Sequence, residues 1–282
     1  MSRTETEAPQ LLAAAAVDAE SNDSIGDQQA RNRRKYRLIR LASILVVLGV
    51  WELVGRQIDP LFMSYPSAVA RAAVTLTTSG ELPSALASSL LTLALGFFIA
   101  AILGVVAGLL IGRYKTVEVA TDWLVNALYA TPPVAVVPLV ILWFGLGFSA
   151  KLFVVVLLAI FPVLINTASG VRNVAPSLID VGAGFAASEW QIFTKIILPA
   201  SLPYTMTGLR LGVGRAIIGM VVAEFFTAIT GLGALVIKYG NQFDTASMLV
   251  PVLVLMLLGV GLTAGLRRAE AKIAPWKEEE HN

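Results

Sequence analysis

Apolar residues run through this chain in long blocks separated by short polar stretches. Six blocks are close to the ~20 residues a helix needs to cross a hydrocarbon core of ~30 Å. They run from about Leu38 to Gly55, Ala85 to Gly112, Trp123 to Phe144, Leu152 to Val171, Thr205 to Ala228 and Ser247 to Leu266. The pattern predicts an all-α, polytopic membrane helix bundle with about six spans, a single membrane domain over 38–266. The first span is short, so Tyr36 and Arg40 are expected to reach back to the inner headgroups. Residues 1–37 mix polar and small residues and end in the cluster Arg31, Arg33, Arg34, Lys35 and Arg37, which reads as a mobile cytoplasmic tail. Residues 267–282 read as a second cytoplasmic tail. The segment from Pro66 to Leu82 carries weak amphipathic spacing at Val69, Ala73 and Leu76, and is expected to rest on the outer membrane surface.

Composition narrows the class. With 56% apolar and 14% charged residues, a soluble or disordered chain is a poor fit, and without cysteine neither a disulfide scaffold nor thiol chemistry is open to it. A formal charge of +2, with basic residues set between apolar runs, gives no stripe for nucleic acid. The first apolar run opens too far from the start for a cleaved signal peptide. With the N-terminus inside, the outer loops hold Arg56, Arg71, Lys151 and Lys238, Arg215 falls within a span, and the other 16 of the 21 Lys and Arg lie in tails or inner loops. That asymmetry supports a multi-pass chain with a cytoplasmic N-terminus.

Within the spans, Gly96, Ala100, Gly104, Gly108 and Gly112 recur every four residues and form a packing strip for another helix. Pro132, Pro133 and Pro138 interrupt the third span. Two readings stand, a helix broken near mid-membrane to line a cavity or a kink made for packing. Pro162 and Pro251 read as simple kinks. Counted from Thr205, Arg215 lies about 15 Å along the fifth span, near the midplane, on a face shared with Gly208, Gly212 and Gly219. A charge there is costly, so Arg215 is a candidate for an anion pathway or else packs structurally. Glu224 sits about half a turn away in azimuth and near the outer end, where it bonds a neighbouring helix or lines a gate. Glu52 reads as interfacial, and His281 in the tail suggests neither a ligand nor a base. No metal-ligating set or catalytic constellation is visible, and no G-x-x-x-x-G-K-[ST] occurs.

The longest inner segment, 172–204, is patterned. Pro176 interrupts, Ser177 with Asp180 has capping-box spacing and predicts a helix over Leu178 to Ala187. Ser188 with Gln191 repeats the spacing and predicts a second helix over Glu189 to Ile197, which Pro199 and Pro203 end before the fifth span. Two short helices in an inner loop suit protein docking or a plain surface elbow.

The run Asp180-Val181-Gly182, then Ala186, Ile196, Leu198 and Pro199, resembles the EAA loop of bacterial ATP-binding-cassette importer permeases, E-A-A-x3-G-x9-I-x-L-P. Pro132-Pro133, Leu142-Trp143-Phe144-Gly145, Phe161-Pro162, Gly208-Leu209-Arg210 and Ala223-Glu224-Phe225-Phe226 are similar to the nitrate, sulfonate and taurine permease group. The likeness spans roughly Trp51 to Leu266. It departs where Asp180 replaces Glu, Val181 and Gly182 replace alanines, and Ala186 replaces glycine. If that glycine serves a positive φ, alanine there costs about 1–3 kcal/mol.

The resemblance implies a permease subunit that forms the path for a small anionic solute. A separate cytoplasmic ATPase, in two copies, would carry ATP and Mg, and this chain would bind no cofactor of its own. A second permease chain, its own copy, would complete the pathway, and an external solute-binding protein would choose among nitrate, sulfonates, taurine, bicarbonate and uncharged vitamin precursors. Leu178, Ile179, Val181 and Phe185 would be the apolar docking groups, with Asp180 facing a basic partner and Phe185 as the anchor. The alternatives are a secondary transporter or channel working without an ATPase, which lacks coupling-ion carboxylates or a repeated half here, and a membrane enzyme, which lacks paired acid and base residues.

Overall fold

The computed structural model describes residues 35, 36, 38–227 and 229–273, which are helical apart from turns and short links. The helices are α1 (Leu38–Gly55), α2 (Pro66–Thr78), α3 (Glu81–Arg113), α4 (Lys115–Ala130), α5 (Pro133–Phe144), α6 (Phe148–Arg172), α7 (Pro176–Gly184), α8 (Glu189–Ile192), α9 (Leu198–Thr227), α10 (Leu232–Asn241) and α11 (Thr245–Ile273). A π turn, Phe193–Ile197, joins α8 to α9. By length and composition α1, α3, α6 and α11 can each cross a membrane, and the bent pairs α4 with α5 and α9 with α10 bring the spans to six. The residues 1–34, Arg37, Ala228 and 274–282 lie outside the described set, and with them most of both expected tails, the end of the fifth predicted span and His281. The first seven residues of the expected C-terminal tail continue α11 instead.

The chain divides into two compact units, one reaching Asp59 and taking in Tyr65–Ser67, the other holding Pro60–Ser64 and everything from Ala68. In the first, Glu52 is more than an interfacial group. It accepts from the Ser67 N–H at 2.9 Å, the Ser67 hydroxyl at 2.7 Å and Arg56 Nε at 2.7 Å. The Ser67 amide is one of the unpaired N–H groups of the first turn of α2, so Glu52 satisfies it and also meets the positive end of the helix dipole.

In the second unit, α6 is the central helix and α3 and α9 flank it. The predicted strip of small residues is what brings α3 so close. A β-carbon on Gly96, Gly104, Gly108 or Gly112 would come within 2.5–2.8 Å of Val155, Val163, Leu164 and Thr167, or Val171 on α6. Gly208, Gly212 and Gly219 of α9 lie slightly less tightly on α6, where a β-carbon would come 2.9 Å from Asn166, 2.8 Å from Val163 and 3.2 Å from Val154. Pro162 lies inside α6 and Pro251 inside α11, as kinks allow.

Three expectations need correction. Val69 and Leu76 of α2 do not face lipid headgroups. They are buried with Leu82, Ala85, Leu232, Leu235, Tyr239 and Val250, so the amphipathic face of α2 packs on α3, α10 and α11. Pro199 and Pro203 do not end the helix before the fifth span. The run from Glu189 to Thr227 is continuous, because the wider π turn takes up the mismatch ahead of Pro199, and Pro203 removes one backbone bond from a helix that α6 supports along its length. Between the last two spans lies α10, which the apolar pattern merged into a loop.

Candidate functional site

The prolines of the third span break it outright. α4 ends at Ala130, Thr131 and Pro132 are extended, and α5 starts at Pro133 with a bend of 96°. Neither proline has a donor to give, so the i→i−4 ladder stops there, while Pro138 is carried inside α5. α5 is anchored by Val137 and Val140, which pack with Ala150, Val154 and Leu158 of α6 and Ala223 of α9. The bend opens a cavity of about 270 Å³ lined by Leu128, Tyr129, Thr131, Pro133, Val136, Leu157, Leu158, Phe161 and Arg215. The sequence marked Arg215 and the Pro132-Pro133 pair separately, and the fold brings Arg215 and Pro133 to one wall.

Arg215 stands 17 residues into α9, about 26 Å along a helix of about 45 Å. It borders the glycine face without being buried by it: Gly212, Ala216 and Gly219 are buried against α6, while Arg215 is exposed toward the cavity. Its neighbours differ from those of five other span and span-end cations. Arg56 pairs with Glu52, Arg113 with Glu189, Arg172 with Glu118, Arg210 with Glu270 and Lys238 with Glu81. Among the described residues no acid reaches Arg215, and no acid lines its cavity.

The loop between α6 and α9 is ordered through local bonds. α7 starts with Pro176 at its first position and has no side-chain cap, so the predicted Ser177–Asp180 box does not form. The Ser188–Gln191 box does form, with Gln191 Oε1 accepting from the Ser188 N–H at 2.8 Å and Ser188 Oγ accepting from the Gln191 N–H at 3.3 Å. α7 ends in a Schellman motif: the Ala187 N–H donates to the Gly182 carbonyl at 3.1 Å, and the Ala186 N–H to the Ala183 carbonyl at 2.9 Å. The residue between them must be left-handed, and it is Ala186, at φ 54°. Gly182 weakens helix propensity but serves packing, since a β-carbon there would meet Ile196 at 2.7 Å.

The apolar residues of α7 divide by face. Ile179 turns inward, partly buried against a core of Val171, Val174 and Ile197 that Ile192 and Ile196 also join, and so offers less free surface than the others. Leu178, Val181 and Phe185 stay exposed, Phe185 at 85%, with Asp180 exposed beside them. Trp190, 72% exposed and packed on the Phe193 ring with centroids 6.0 Å apart, lines a separate hollow with Leu110, Arg113 and Tyr114 at the end of α3. It went unmarked because it follows a cap signal and belongs to no repeat. Leu198 and Pro199 begin α9 directly after the π turn.

Glu224 is elsewhere. It is fully buried near the far end of α9, away from the residues that line the Arg215 cavity. Its carboxylate accepts from the Ser89 hydroxyl at 2.7 Å and the Gly233 N–H at 2.8 Å, and Ser89 Oγ accepts from the Leu232 N–H at 2.8 Å. α3 and α9 therefore cap the N-terminus of α10 jointly. Gly231, at φ 111°, passes so close that a β-carbon would overlap the carboxylate. Lys151, expected in an outer loop, is buried in the first turn of α6 and donates to Thr230 O at 2.7 Å and Thr230 Oγ1 at 2.8 Å. Only the fold could show that Ser89, Lys151, Glu224 and the 230–233 backbone form one polar cluster.

Comparison with known proteins agrees with this architecture. Residues 100–275 match the family described as binding-protein-dependent transport system inner membrane component. The chain is 31% identical over 248 residues to the taurine transport system permease protein TauC of Escherichia coli, covering 86% of this chain and 90% of that one. It is 30% identical over 240 residues to the formylaminopyrimidine transport permease protein ThiX of Halalkalibacterium halodurans, covering 84% and 94%. A solved chain of the MetNI methionine ABC transporter in inward facing conformations shares the fold, with TM-score 0.54 and 18% identity over 65% of this chain and 94% of that one.

Proposed function

Because this chain belongs to the binding-protein-dependent transport system inner membrane component family, we propose that it forms the path for a small anionic solute and that the cavity at Arg215 is a station on that path. It is the multi-pass permease subunit of an ABC importer, and such a subunit works with an ATPase and a solute-binding protein. In our reading the chain pairs with a second copy of itself, each copy takes one ATPase, and ATP and Mg are bound and spent there, so this chain is not itself an enzyme. The N-terminus is cytoplasmic, which puts α7, α8, Phe185 and Trp190 on the ATPase side and the Glu224 cluster on the side of the binding protein. Leu178, Asp180, Val181, Phe185 and Trp190 are the docking groups, and Ile196, Leu198 and Pro199 carry the loop into α9.

One observation supports the substrate reading: a cation at depth in the bundle, without an acid nearby, facing a cavity beside a broken helix. A fixed positive charge in that position is expensive unless an anion visits it. Guanidinium offers paired donors for a sulfonate or carboxylate, and one relative is named for taurine, which carries a sulfonate. The relative named for formylaminopyrimidine marks the competing, uncharged class.

The test is uptake of taurine and simple alkanesulfonates into vesicles holding the complete importer. Losing one charge-assisted contact of about 1.5–3 kcal/mol lowers uptake by Arg215→Ala about 10- to 100-fold, while basal ATP hydrolysis stays near that of the unaltered importer. Arg215→Lys keeps the charge and recovers part of it. Unchanged uptake of every anion by the Ala variant, with the complex intact, refutes the assignment.

A further inference from the structure

α4 differs from every other long helix of the second unit in having no buried residue. It is bounded at both ends by extended links, Tyr114 at φ −111° and ψ 111° before it, and Thr131 at φ −66° and ψ 129° followed by Pro132 at φ −62° and ψ 113° after it. Along its length it leans on the bundle through Val117 and Val125, which touch the Ile111, Leu164 and Ala168 core, and through Tyr129, whose ring lies 6.2 Å from that of Phe161. These contacts are apolar and bury no residue of α4 completely. The helix after the bend, α5, is by contrast fixed by buried valines.

One polar connection ties α4 to the rest of the bundle among the described residues. Glu118 Oε1 accepts from Arg172 Nη1 at 2.7 Å, while its other oxygen pairs with Lys115 at 2.9 Å within α4. Arg172 is the last residue of α6 and sits directly before the docking loop, four positions ahead of Pro176, where α7 begins. Val174, between them, is buried with Ile197 at the loop's far end. Displacement of the loop therefore reaches the body of α4 through Arg172, while the Arg113–Glu189 pair ties α8 to the end of α3, two residues before α4 starts.

The other end of α4 supplies the cavity wall. Leu128, Tyr129 and Thr131 line the space that Arg215 faces. A helix of this length is about 24 Å long, so a tilt of about 5° about its inner end moves Thr131 by about 2 Å. That is enough to open or close a wall whose opposite side is held still by α5 and α6.

We propose that α4 is a lever: the Glu118–Arg172 pair is its latch to the docking loop, and movement of that loop reshapes the Arg215 cavity through α4. Glu118 and Arg172 are positioning residues, touching neither the solute nor the ATPase. The proposal rests on the docking reading above for its input and not on the identity of the solute.

The chain has no cysteine, so a single introduced thiol reports without background from this subunit. Two reporters separate the two ideas. Ala183→Cys on the exposed face of α7 reads docking, and Thr131→Cys reads the far end of the lever. Each is placed in the importer purified with its own ATPase, and maleimide labelling of this subunit is followed with and without ATP and orthovanadate. Ala183→Cys is expected to be protected by the ATPase, and the labelling rate of Thr131→Cys to change when nucleotide is trapped. Glu118→Gln and Arg172→Gln abolish that change at Thr131→Cys while protection at Ala183→Cys persists. Arg172→Lys restores it, and Lys115→Gln, which leaves the latch in place, preserves it. A nucleotide response at Thr131→Cys that is the same with and without the latch overturns the lever, as does a loss in Lys115→Gln equal to that in Arg172→Gln. Labelling at Ala183→Cys that ignores the ATPase instead removes the docking reading and with it the lever's input.

Discussion

Replacing Glu224 by alanine tests how much of the outer end depends on one side chain. Two buried donors lose their acceptor at once: the Ser89 hydroxyl at 2.7 Å and the Gly233 N–H at 2.8 Å. Each unmatched buried donor costs about 1–3 kcal/mol, so the pair together costs about 4 kcal/mol before any void is counted. Water is a poor substitute, because Gly231 and Gly233 close on the carboxylate from the α10 side and leave little room. For a folded chain of this size about 1 kcal/mol moves Tm by about 2–4 °C, which predicts a fall of about 8–16 °C for Glu224→Ala.

The measurement is thermal unfolding in detergent, followed by tryptophan fluorescence, beside hydrogen exchange of the Leu232 and Gly233 amides. Both amides are expected to exchange faster in the variant, since the N-terminus of α10 loses the acceptors from α3 and α9. Glu224→Gln keeps one good acceptor and is expected to fall between the two. Ser89→Ala breaks the same chain of bonds, so its effect and that of Glu224→Ala should be less than additive. A Tm for Glu224→Ala within about 2 °C of the unaltered chain, where about 8 °C or more is expected, means that the cluster does not hold α10 in place.

Two further predictions concern the docking loop. Ala186→Gly relieves a left-handed alanine at φ 54° and is expected to raise stability by about 0.5–1 kcal/mol, the strain relieved being partly offset by the greater freedom of glycine when unfolded; a rise in the temperature at which the 186–187 backbone is cut by protease checks it. Phe185→Ala and Asp180→Lys act on an exposed surface, so they are expected to leave the Tm of the bundle unchanged and to reduce ATPase co-purification or uncouple hydrolysis from uptake. Full ATPase retention with normal coupling in both variants refutes the docking assignment.

What the sequence disclosed follows from how local each signal is. Spans came from run length, and the glycine strip of α3 from a period of four, because both are properties of a single helix. The Ser188–Gln191 box formed as read, since its donor and acceptor lie three residues apart. Ser177 and Asp180 had the same spacing and formed nothing: Pro176 occupies the first helical position, and Ala175 takes the place of the capping residue. Pro203 misled for a related reason, because a proline ends a helix only where no neighbour supports the backbone around it, and α6 does so here. The Pro132-Pro133 pair held the break because two successive residues lacked donors and neither could be bridged by its neighbour.

The polar groups divide along the same line. Arg215 was visible because a lone cation in an apolar run is conspicuous, yet its significance depends on the absence of an acid around it, which only packing decides. Glu224 was equally conspicuous, and packing gave it the opposite environment, two donors and a close-fitting glycine turn, the farther donor 135 positions away in the chain. Two charges that look alike in sequence thus separate by partner. The one whose bonds are saturated builds the scaffold, and the one left facing a cavity is where a mobile anion can supply the missing charge. Lys151 extends the rule, since it is buried, gives two of its donors to Thr230, and is thereby removed from the set of cations a solute can meet.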